Sequence, residues 1–272
     1  MKQYILACLI IVSLFACNQK GGVSTNNTGE NQINNHKLVY ETAHKNRDIY
    51  TSIVALNYLL AEDSNNMDYT DSLARIYILN EMLEPGMKLA KKVLDKNPKN
   101  YKLKELYAMG QTYTNDLSGS YQSFKSLYEE TKDAKYLYEM AKANINLGKT
   151  NDGLSQLDQI IGDQSITATI AGPTADGGVQ NVNVRAAALL LKAQWEASKQ
   201  NYNGAQNFIN KSLAVAPDFQ AALYLKEQLK AALNQSKTAP APRQMQPSVG
   251  NTPSTGGFNE GYEEWKRRQG MK

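Results

Sequence analysis

Small side chains recur along this chain at a regular interval, among apolar residues spaced as in helices. One series is separated by steps of 34, 34, 33 and 52 residues, the last being one period plus about 18: Ser52, Gly86, Ser120, Gly153 and Ala205. A second series precedes the last four by 12 residues: Ala74, Ala108, Ala141 and Ala193. Self-similarity at such a period is typical of repeat arrays.

The two series predict pairs of short helices that fold back on each other. Helix axes approach to about 8–10 Å only where the side chains at the crossing are small. Large apolar residues around the small positions, such as Leu73, Tyr77 and Val93, would fill the gaps to the next pair. Because no pair can bury its apolar face alone, the stack itself would be the core. An irregular helical bundle with accidental spacing is the alternative.

These residues resemble the tetratricopeptide repeat (TPR) family. The best single unit, residues 67–100, has signature residues at Leu73, Ala74, Tyr77, Gly86, Ala90, Val93 and Pro98. The chain departs from the family pattern where the first Trp is replaced by Thr70 and Lys104, and where the terminal Pro is replaced by Ser64 and Lys132. The resemblance implies an all-α solenoid of about five helical hairpins over residues 36–235, with a capping helix over residues 218–235.

An insertion precedes the fifth repeat. Residues 165–170 alternate apolar and polar side chains, and residues 179–184 are rich in Val. Gly and Pro lie between the two runs, which predicts an inserted β-hairpin within residues 163–184. A surface loop is the alternative.

The N-terminal residues predict export and lipidation. Residues 1–16 have a basic start and an apolar run of about 12 residues, which suits a signal peptide but is shorter than the roughly 20 residues that span a bilayer. Leu14-Phe15-Ala16-Cys17 resembles the lipobox of bacterial lipoproteins. The resemblance implies cleavage between Ala16 and Cys17 and acylation of Cys17, palmitate included. A plain signal peptide is the alternative.

Two polar segments flank the predicted array. Residues 17–35 are rich in Asn and Gly and are expected to form a flexible tether. Residues 236–272 are rich in Pro, Gly and Ser and are expected to be disordered. They end in a short aromatic and basic stretch with Phe258, Tyr262 and Trp265 at helical spacing.

Composition narrows the possible functions. The 30 basic and 26 acidic side chains are too balanced to indicate a nucleic-acid partner. Cys8 and Cys17 are the only cysteines, and the two histidines, His36 and His44, do not stand at metal-ligand spacing. The sequence has no phosphate-binding loop and no nucleophile elbow. We expect a protein that is not an enzyme, with no cofactor, metal or catalytic residue.

The TPR resemblance implies a concave groove lined by the first helix of each hairpin. The corresponding residues are Asp68, Asp71, Arg75, Lys102, Glu105, Met109, Lys135, Tyr138 and Lys142. Their mixed charges favour a polar, extended ligand, with Asp71, Arg75, Lys102, Tyr138 and Lys142 as candidate binding residues. Solvated side chains without a binding role are the alternative.

The predicted function is a lipid-anchored, noncatalytic adaptor of the bacterial cell envelope, at the outer membrane. It would bind a protein or peptide in the groove and reach the membrane through its N-terminal lipid. The alternative is a glycan- or solute-binding lipoprotein whose site uses the hairpin and aromatic residues such as Tyr138.

Overall fold

A computed structural model describes residues 26–174 and 178–238 of the chain. The signal peptide, the lipobox with Ala16 and Cys17, the tether up to residue 25, and the tail beyond residue 238 lie outside the described residues. The chain divides into two compact units, residues 1–69 and residues 70–272.

The first unit contains one helical hairpin, α1 (Asn26–Lys45) and α2 (Ile49–Glu62), and the start of α3. Ser52 and Leu56 of α2 are buried, and the ring of His36 stacks on Tyr58 with the ring centroids 4.8 Å apart. Helix α1 begins ten residues before the expected start at residue 36, so the predicted tether is shorter than residues 17–35. Elongation of a helix already formed costs little, so polar residues can extend it.

The second unit contains the rest of α3, which forms a hairpin with α4, and also three further hairpins and a closing helix. The helices are α3 (Met67–Leu79), α4 (Leu83–Lys96), α5 (Tyr101–Tyr113), α6 (Leu117–Thr131), α7 (Ala134–Asn146), α8 (Thr150–Gly162), α9 (Val184–Ser198), α10 (Tyr202–Val215) and α11 (Gln220–Thr238). Helix α4 contacts α5, α6 contacts α7, α8 contacts α9, and α10 contacts α11. The fold is a TPR-type helical-hairpin solenoid with a closing helix, as the sequence predicted.

The small residues lie where the two helices of a hairpin cross. The two series are buried, including Ser52, Ser120, Ala74, Ala108, Ala141, Ala193 and Ala205. A Cβ at Gly86 would lie 2.8 Å from Ile78 Cγ1 and 2.9 Å from the Ile78 backbone nitrogen. At Gly153 it would lie 2.8 Å from the Ala141 carbonyl oxygen. The partner backbone occupies the space that a side chain would need.

In each of the five described hairpins, the turn contains one residue in the left-handed backbone conformation. The five residues with positive φ at these turns are Arg47, Glu81, Asn115, Gly148 and Gln200, with φ of 58–78°. The next residue donates its N–H to the carbonyl five positions earlier, for example Met82 to Tyr77 and Lys149 to Asn144. This is the Schellman arrangement that ends a helix by satisfying its free carbonyls.

The predicted β-hairpin is present between α8 and α9. Strand β1 (Thr169–Pro173) pairs antiparallel with β2 (Val179–Asn183), with Ile170 opposite Val182. Strand β1 starts four residues later than predicted, since Ile166 and Ala168 instead pack against the core formed by α5 to α9.

The β-hairpin also packs against the closing helix α11 and caps its N-terminus. Val182 is buried against Phe219 and Ala222. The Gln180 side-chain carbonyl accepts a hydrogen bond from the Gln220 N–H at 3.0 Å. That N–H is one of the unpaired donors at the start of α11, so the insertion caps this helix.

None of the helices described is both long enough and apolar enough to cross a membrane.

We expect Gly86→Leu to lower the free energy of unfolding by about 1–3 kcal/mol or more, because the new side chain would push apart α3 and α4. Urea unfolding measures the change. Gly162→Leu is the matched control, since a Cβ at Gly162 meets nothing within 4 Å. An equal effect of the two substitutions would contradict the role assigned to the crossing.

Candidate functional site

The predicted groove residues Asp71 and Arg75 bind each other and the start of the next hairpin. Arg75 Nε donates to Asp71 Oδ2 at 2.7 Å, and an Arg75 guanidinium nitrogen donates to Asn100 Oδ1 at 2.9 Å. Asn100 Nδ2 donates to Asp71 Oδ1 at 3.0 Å, and Asn100 is the N-cap of α5. These two charges therefore hold α3 against the beginning of α5.

A second set of polar contacts joins α5 to α7. Lys135 Nζ lies 3.0 Å from both carboxylate oxygens of Glu105, and the Tyr136 hydroxyl donates to Glu105 Oε2 at 2.9 Å. Burial, together with the Glu105 carboxylate that accepts its proton, raises the pKa of Tyr136 to about 12. The Glu105 carboxylate thus accepts hydrogen bonds from two residues of the neighbouring hairpin, Lys135 and Tyr136.

Further along the same helices, a cluster of tyrosines surrounds one ion pair. We call Tyr113, Tyr138, Glu139 and Lys142 the tyrosine–lysine cluster. Lys142 Nζ lies 2.9 Å from Glu139 Oε2 and 5.5 Å from the centroid of the Tyr138 ring. Burial opposes the charge on Lys142, but Glu139, Tyr138 and Tyr113 outweigh it and raise its pKa. The ammonium stays charged at neutral pH within an aromatic surface.

Apolar side chains extend the tyrosine–lysine cluster along α5. Met109 is 38% exposed and Tyr113 is 50% exposed, one helical turn apart. Burial raises the pKa of Tyr138, which keeps its phenol neutral. The patch therefore offers an adaptable thioether, two phenols and one cation, which suits an extended chain with an apolar side chain beside a polar group.

The remaining predicted residues lie apart from this patch. Lys102 and Asp68 are exposed in the first turns of α5 and α3. Among the described residues, Lys102 makes no hydrogen bond or ion pair. The structure therefore brings Tyr138 and Lys142 together, and leaves Lys102 as a separate surface charge.

Tyr113 and Glu139 were missed by the sequence analysis. Tyr113 follows Met109 by four residues on α5 and so continues the same helix face, which was the available signal. Glu139 follows Tyr138 directly, and only the contacts show that it pairs with Lys142.

Another exposed apolar surface occurs on α2. Tyr50, Val54 and Tyr58 are 82%, 54% and 55% exposed and lie one turn apart. At the same places relative to the small-residue series, α6, α8 and α10 carry Ser, Gln, Asn and Lys. The apolar residues of α2 are therefore not a requirement of the repeat.

In the described part of the chain, no group of three His, Cys, Asp or Glu side chains is placed to hold a metal ion.

The fold is a TPR-type helical solenoid with a polar and aromatic surface on its first helices. The chain matches no protein-family model and no curated protein. Many solved structures share the fold, among them the following three, all at low identity. A tetratricopeptide repeat protein from Parabacteroides merdae superposes with a TM-score of 0.59 at 15% identity, over 76% of this chain and 75% of that chain.

YrrB, a TPR protein with an unusual peptide-binding site, superposes with a TM-score of 0.54 at 15% identity, over 74% of this chain and 98% of its own. MamA superposes with a TM-score of 0.53 at 10% identity, over 78% of this chain and 100% of its own. Identities this low show the common fold alone.

The Tyr136–Glu105 contact predicts a pH dependence of stability. The pKa of Tyr136 in the folded protein, about 12, lies above the ordinary value of 10.0. The neutral phenol therefore contributes its full stabilisation below pH 10 and loses it as the pH rises through about 12. We expect Tyr136→Phe to be less stable than the wild type at pH 9, with a difference that shrinks on the order of 2 kcal/mol by pH 12.

Urea unfolding at a series of pH values measures this difference. Tyr224→Phe is the control, because Tyr224 is 65% exposed on α11. A constant difference between the wild type and Tyr136→Phe across this range would contradict the contact.

Proposed function

We propose that this chain is a lipid-anchored, noncatalytic scaffold of the bacterial cell envelope, held at the outer membrane. It binds an extended segment of a partner protein on the face formed by the first helices α5 and α7. The tyrosine–lysine cluster with Met109 carries the proposal, since on this face the exposed Met109 and Tyr113 accompany the half-buried Tyr138 and the Lys142 cation.

The different contacts of the charged residues support a binding site at the tyrosine–lysine cluster. Asp71, Arg75, Glu105 and Lys135 hold consecutive hairpins together, so a ligand that took these groups would compete with the fold. Lys142 instead pairs with a residue of its own helix, and its side chain is 40% exposed. Exchanging this half-buried pair for a ligand group would not break a link between hairpins, since both of its residues belong to α7.

The fold adds general support. YrrB shares the hairpin arrangement and has a peptide-binding site. The noncatalytic assignment rests on the chemistry of the patch, in which the Lys142 cation pairs with the Glu139 carboxylate and burial keeps the Tyr138 phenol protonated. Such groups bind and orient, and they do not supply a base or a nucleophile at neutral pH.

Site-specific crosslinking in intact cells tests the binding face. A photoreactive phenylalanine analogue replaces Met109, and we expect it to crosslink to one defined protein. Tyr113→Ala with Lys142→Ala should reduce that product several-fold, because both remove contacts around position 109. The same analogue at Asn207, exposed on the second helix α10, is the control position.

An equal yield from positions 109 and 207 would contradict binding on this face. A product unaffected by Tyr113→Ala with Lys142→Ala would exclude the tyrosine–lysine cluster. If no protein is crosslinked, and an added glycan protects the Tyr113 ring from chemical modification, the result would favour a solute-binding lipoprotein instead.

Metabolic labelling with an alkyne analogue of palmitate tests the anchor. We expect Cys17→Ala to abolish the label and to release the chain from the membrane fraction, because Cys17 follows the predicted cleavage site. Cys8→Ala is the matched control and should keep the label. Labelling that persists in Cys17→Ala would contradict the lipobox prediction.

A further inference from the structure

The outer surface of the first hairpin is rich in apolar side chains. More than half of the exposed large apolar side chains in the described part of the chain belong to α1 and α2, although these helices hold less than a fifth of its residues. On α2, Tyr50, Val54 and Tyr58 are 82%, 54% and 55% exposed. Ala61, seven residues after Val54, is also exposed. We call these four residues the α2 apolar face.

The α2 apolar face lies opposite the packed side of its own helix. Ser52 and Leu56, which are at most 2% exposed, each follow a residue of the face by two positions, or about 200° around the helix. Glu62 is the one charged residue of α2, and it lies beyond the end of the face, where its carboxylate contacts the His36 ring at 3.2 Å. The face is therefore a neutral surface on a helix whose other side is packed.

The other second helices are polar at the corresponding positions. Helix α4 carries Glu84, Lys88 and Lys92 where α2 carries its two tyrosines and Val54. Helices α6, α8 and α10 carry Ser, Gln, Asn and Lys there. The apolar face is thus confined to the hairpin that directly follows the predicted lipidation site, so it serves a contact that only this hairpin makes.

The predicted anchor is close to this hairpin along the chain. Nine residue steps separate Cys17 from Asn26, where α1 begins. A segment of this length reaches at most about 32 Å, at about 3.6 Å per residue. The stacking of His36 on Tyr58 places the C-terminal part of α2 beside a point ten residues, or about 15 Å, along α1. A bilayer that holds a lipid on Cys17 is therefore within reach of the α2 apolar face.

We propose that the α2 apolar face lies on the bilayer that holds the N-terminal lipid, with the axis of α2 in the membrane plane. This inference rests on the proposed lipid anchor. An interfacial helix buries its apolar side about 5–10 Å deep, at the boundary between headgroups and acyl chains. Tyrosine suits this boundary, because its ring is apolar and its hydroxyl stays hydrated. Helix α2 has 14 residues, fewer than the roughly 20 that span a bilayer, so it lies on the surface.

The size of the face favours a bilayer over a second copy of the chain. Stable protein interfaces use about 20–30 residues a side, whereas the α2 apolar face has four. A short tether to the same bilayer gives an effective concentration on the order of millimolar. A small apolar contact is therefore enough to hold the hairpin on the membrane once the lipid is inserted.

Fluorescence quenching in vesicles of purified protein tests this proposal. On the proposed processing, Cys8 is removed and Cys17 is acylated, so Ala61→Cys supplies the one free thiol of the lipidated chain. This thiol is labelled with an environment-sensitive dye, and the lipidated chain is reconstituted in phosphatidylcholine vesicles with and without nitroxide lipids. We expect the nitroxide lipids to lower the emission at least about twofold, because the dye lies at the boundary of the acyl chains.

Glu129→Cys provides the matched label position. Glu129 is exposed and lies nine residues after the small residue Ser120 of α6, as Ala61 lies nine residues after Ser52 of α2. We expect nitroxide lipids to leave its emission unchanged. Flotation of the vesicles checks that both labelled chains carry the anchor.

A charged double variant tests the face itself. Tyr50→Asp with Val54→Asp is added to the chain labelled at position 61. Because a carboxylate is costly to bury in the bilayer, we expect the quenching to fall to the level seen at position 129. The chain should still float with the vesicles, since its lipid is unchanged.

A second double variant provides the control for charge. Ser118→Asp with Gln122→Asp places the same charges at the corresponding exposed positions of α6. We expect it to leave the quenching at position 61 unchanged. Circular dichroism melting of both double variants checks that the fold is retained.

Three results would overturn the proposal. The first is equal quenching at positions 61 and 129, and the second is quenching at position 61 that Tyr50→Asp with Val54→Asp does not reduce. The third is a dimer in detergent, measured by light scattering, that the same double variant converts to a monomer, which would assign the face to a second copy. Chains that carry no lipid and do not float would instead refute the proposed anchor, and this inference with it.

Discussion

Where the two helices of a hairpin cross, one backbone lies directly against the other, and every larger feature of the structure depends on this approach. At Gly86 the nearest neighbours are the side chain and backbone of Ile78, and at Gly153 they are Ile145 and the Ala141 carbonyl. Tight crossings bring large residues such as Phe124 and Leu157 into the space between hairpins, where they are at most 2% exposed. The core is a consequence of the crossing as much as of hydrophobicity.

The charged residues also contribute to the contacts between hairpins. Several charged side chains on the first helices α3, α5 and α7 connect a hairpin to its neighbour, as Arg75 does through Asn100 and Lys135 does through Glu105. A helical array has few long-range contacts, so these links supply register that apolar packing alone does not specify. The groups left for a ligand are those whose partners lie on the same helix, as with Lys142 and Glu139.

The repeat, its register and the inserted β-hairpin could be predicted from the sequence, because each rests on a period or an alternation that local residues encode. The turn conformation could not. Four of the five left-handed turn residues are Arg, Glu, Asn and Gln, which carry no glycine signal although the conformation costs about 1–2 kcal/mol for a residue with a Cβ. Surrounding packing imposes it.

From the sequence, the candidate site could be predicted only as a helix face, without the contacts that its residues make. Helical spacing identified Tyr138 and Lys142 as neighbours on α7. It could not show that Asp71 and Arg75 are engaged with Asn100, which is 25 residues or more away in the chain. Nor could it show that the α1 helix begins at Asn26, because residues 26–35 contain a single apolar side chain, Ile33, and so carry no apolar period to extend the pattern.

The hydrogen bond from the Gln220 N–H to Gln180 joins the closing helix to the inserted strands across 40 residues. Helices α9, α10 and α11 and the β-hairpin therefore form one packed unit. We expect a duplication or deletion of a hairpin between α3 and α8 to disturb only the contacts with its neighbours. A recombination point between the strands and α11 would separate α11 from the Gln180 side chain that caps it. We therefore expect the β-hairpin and α9 to α11 to be exchanged only together.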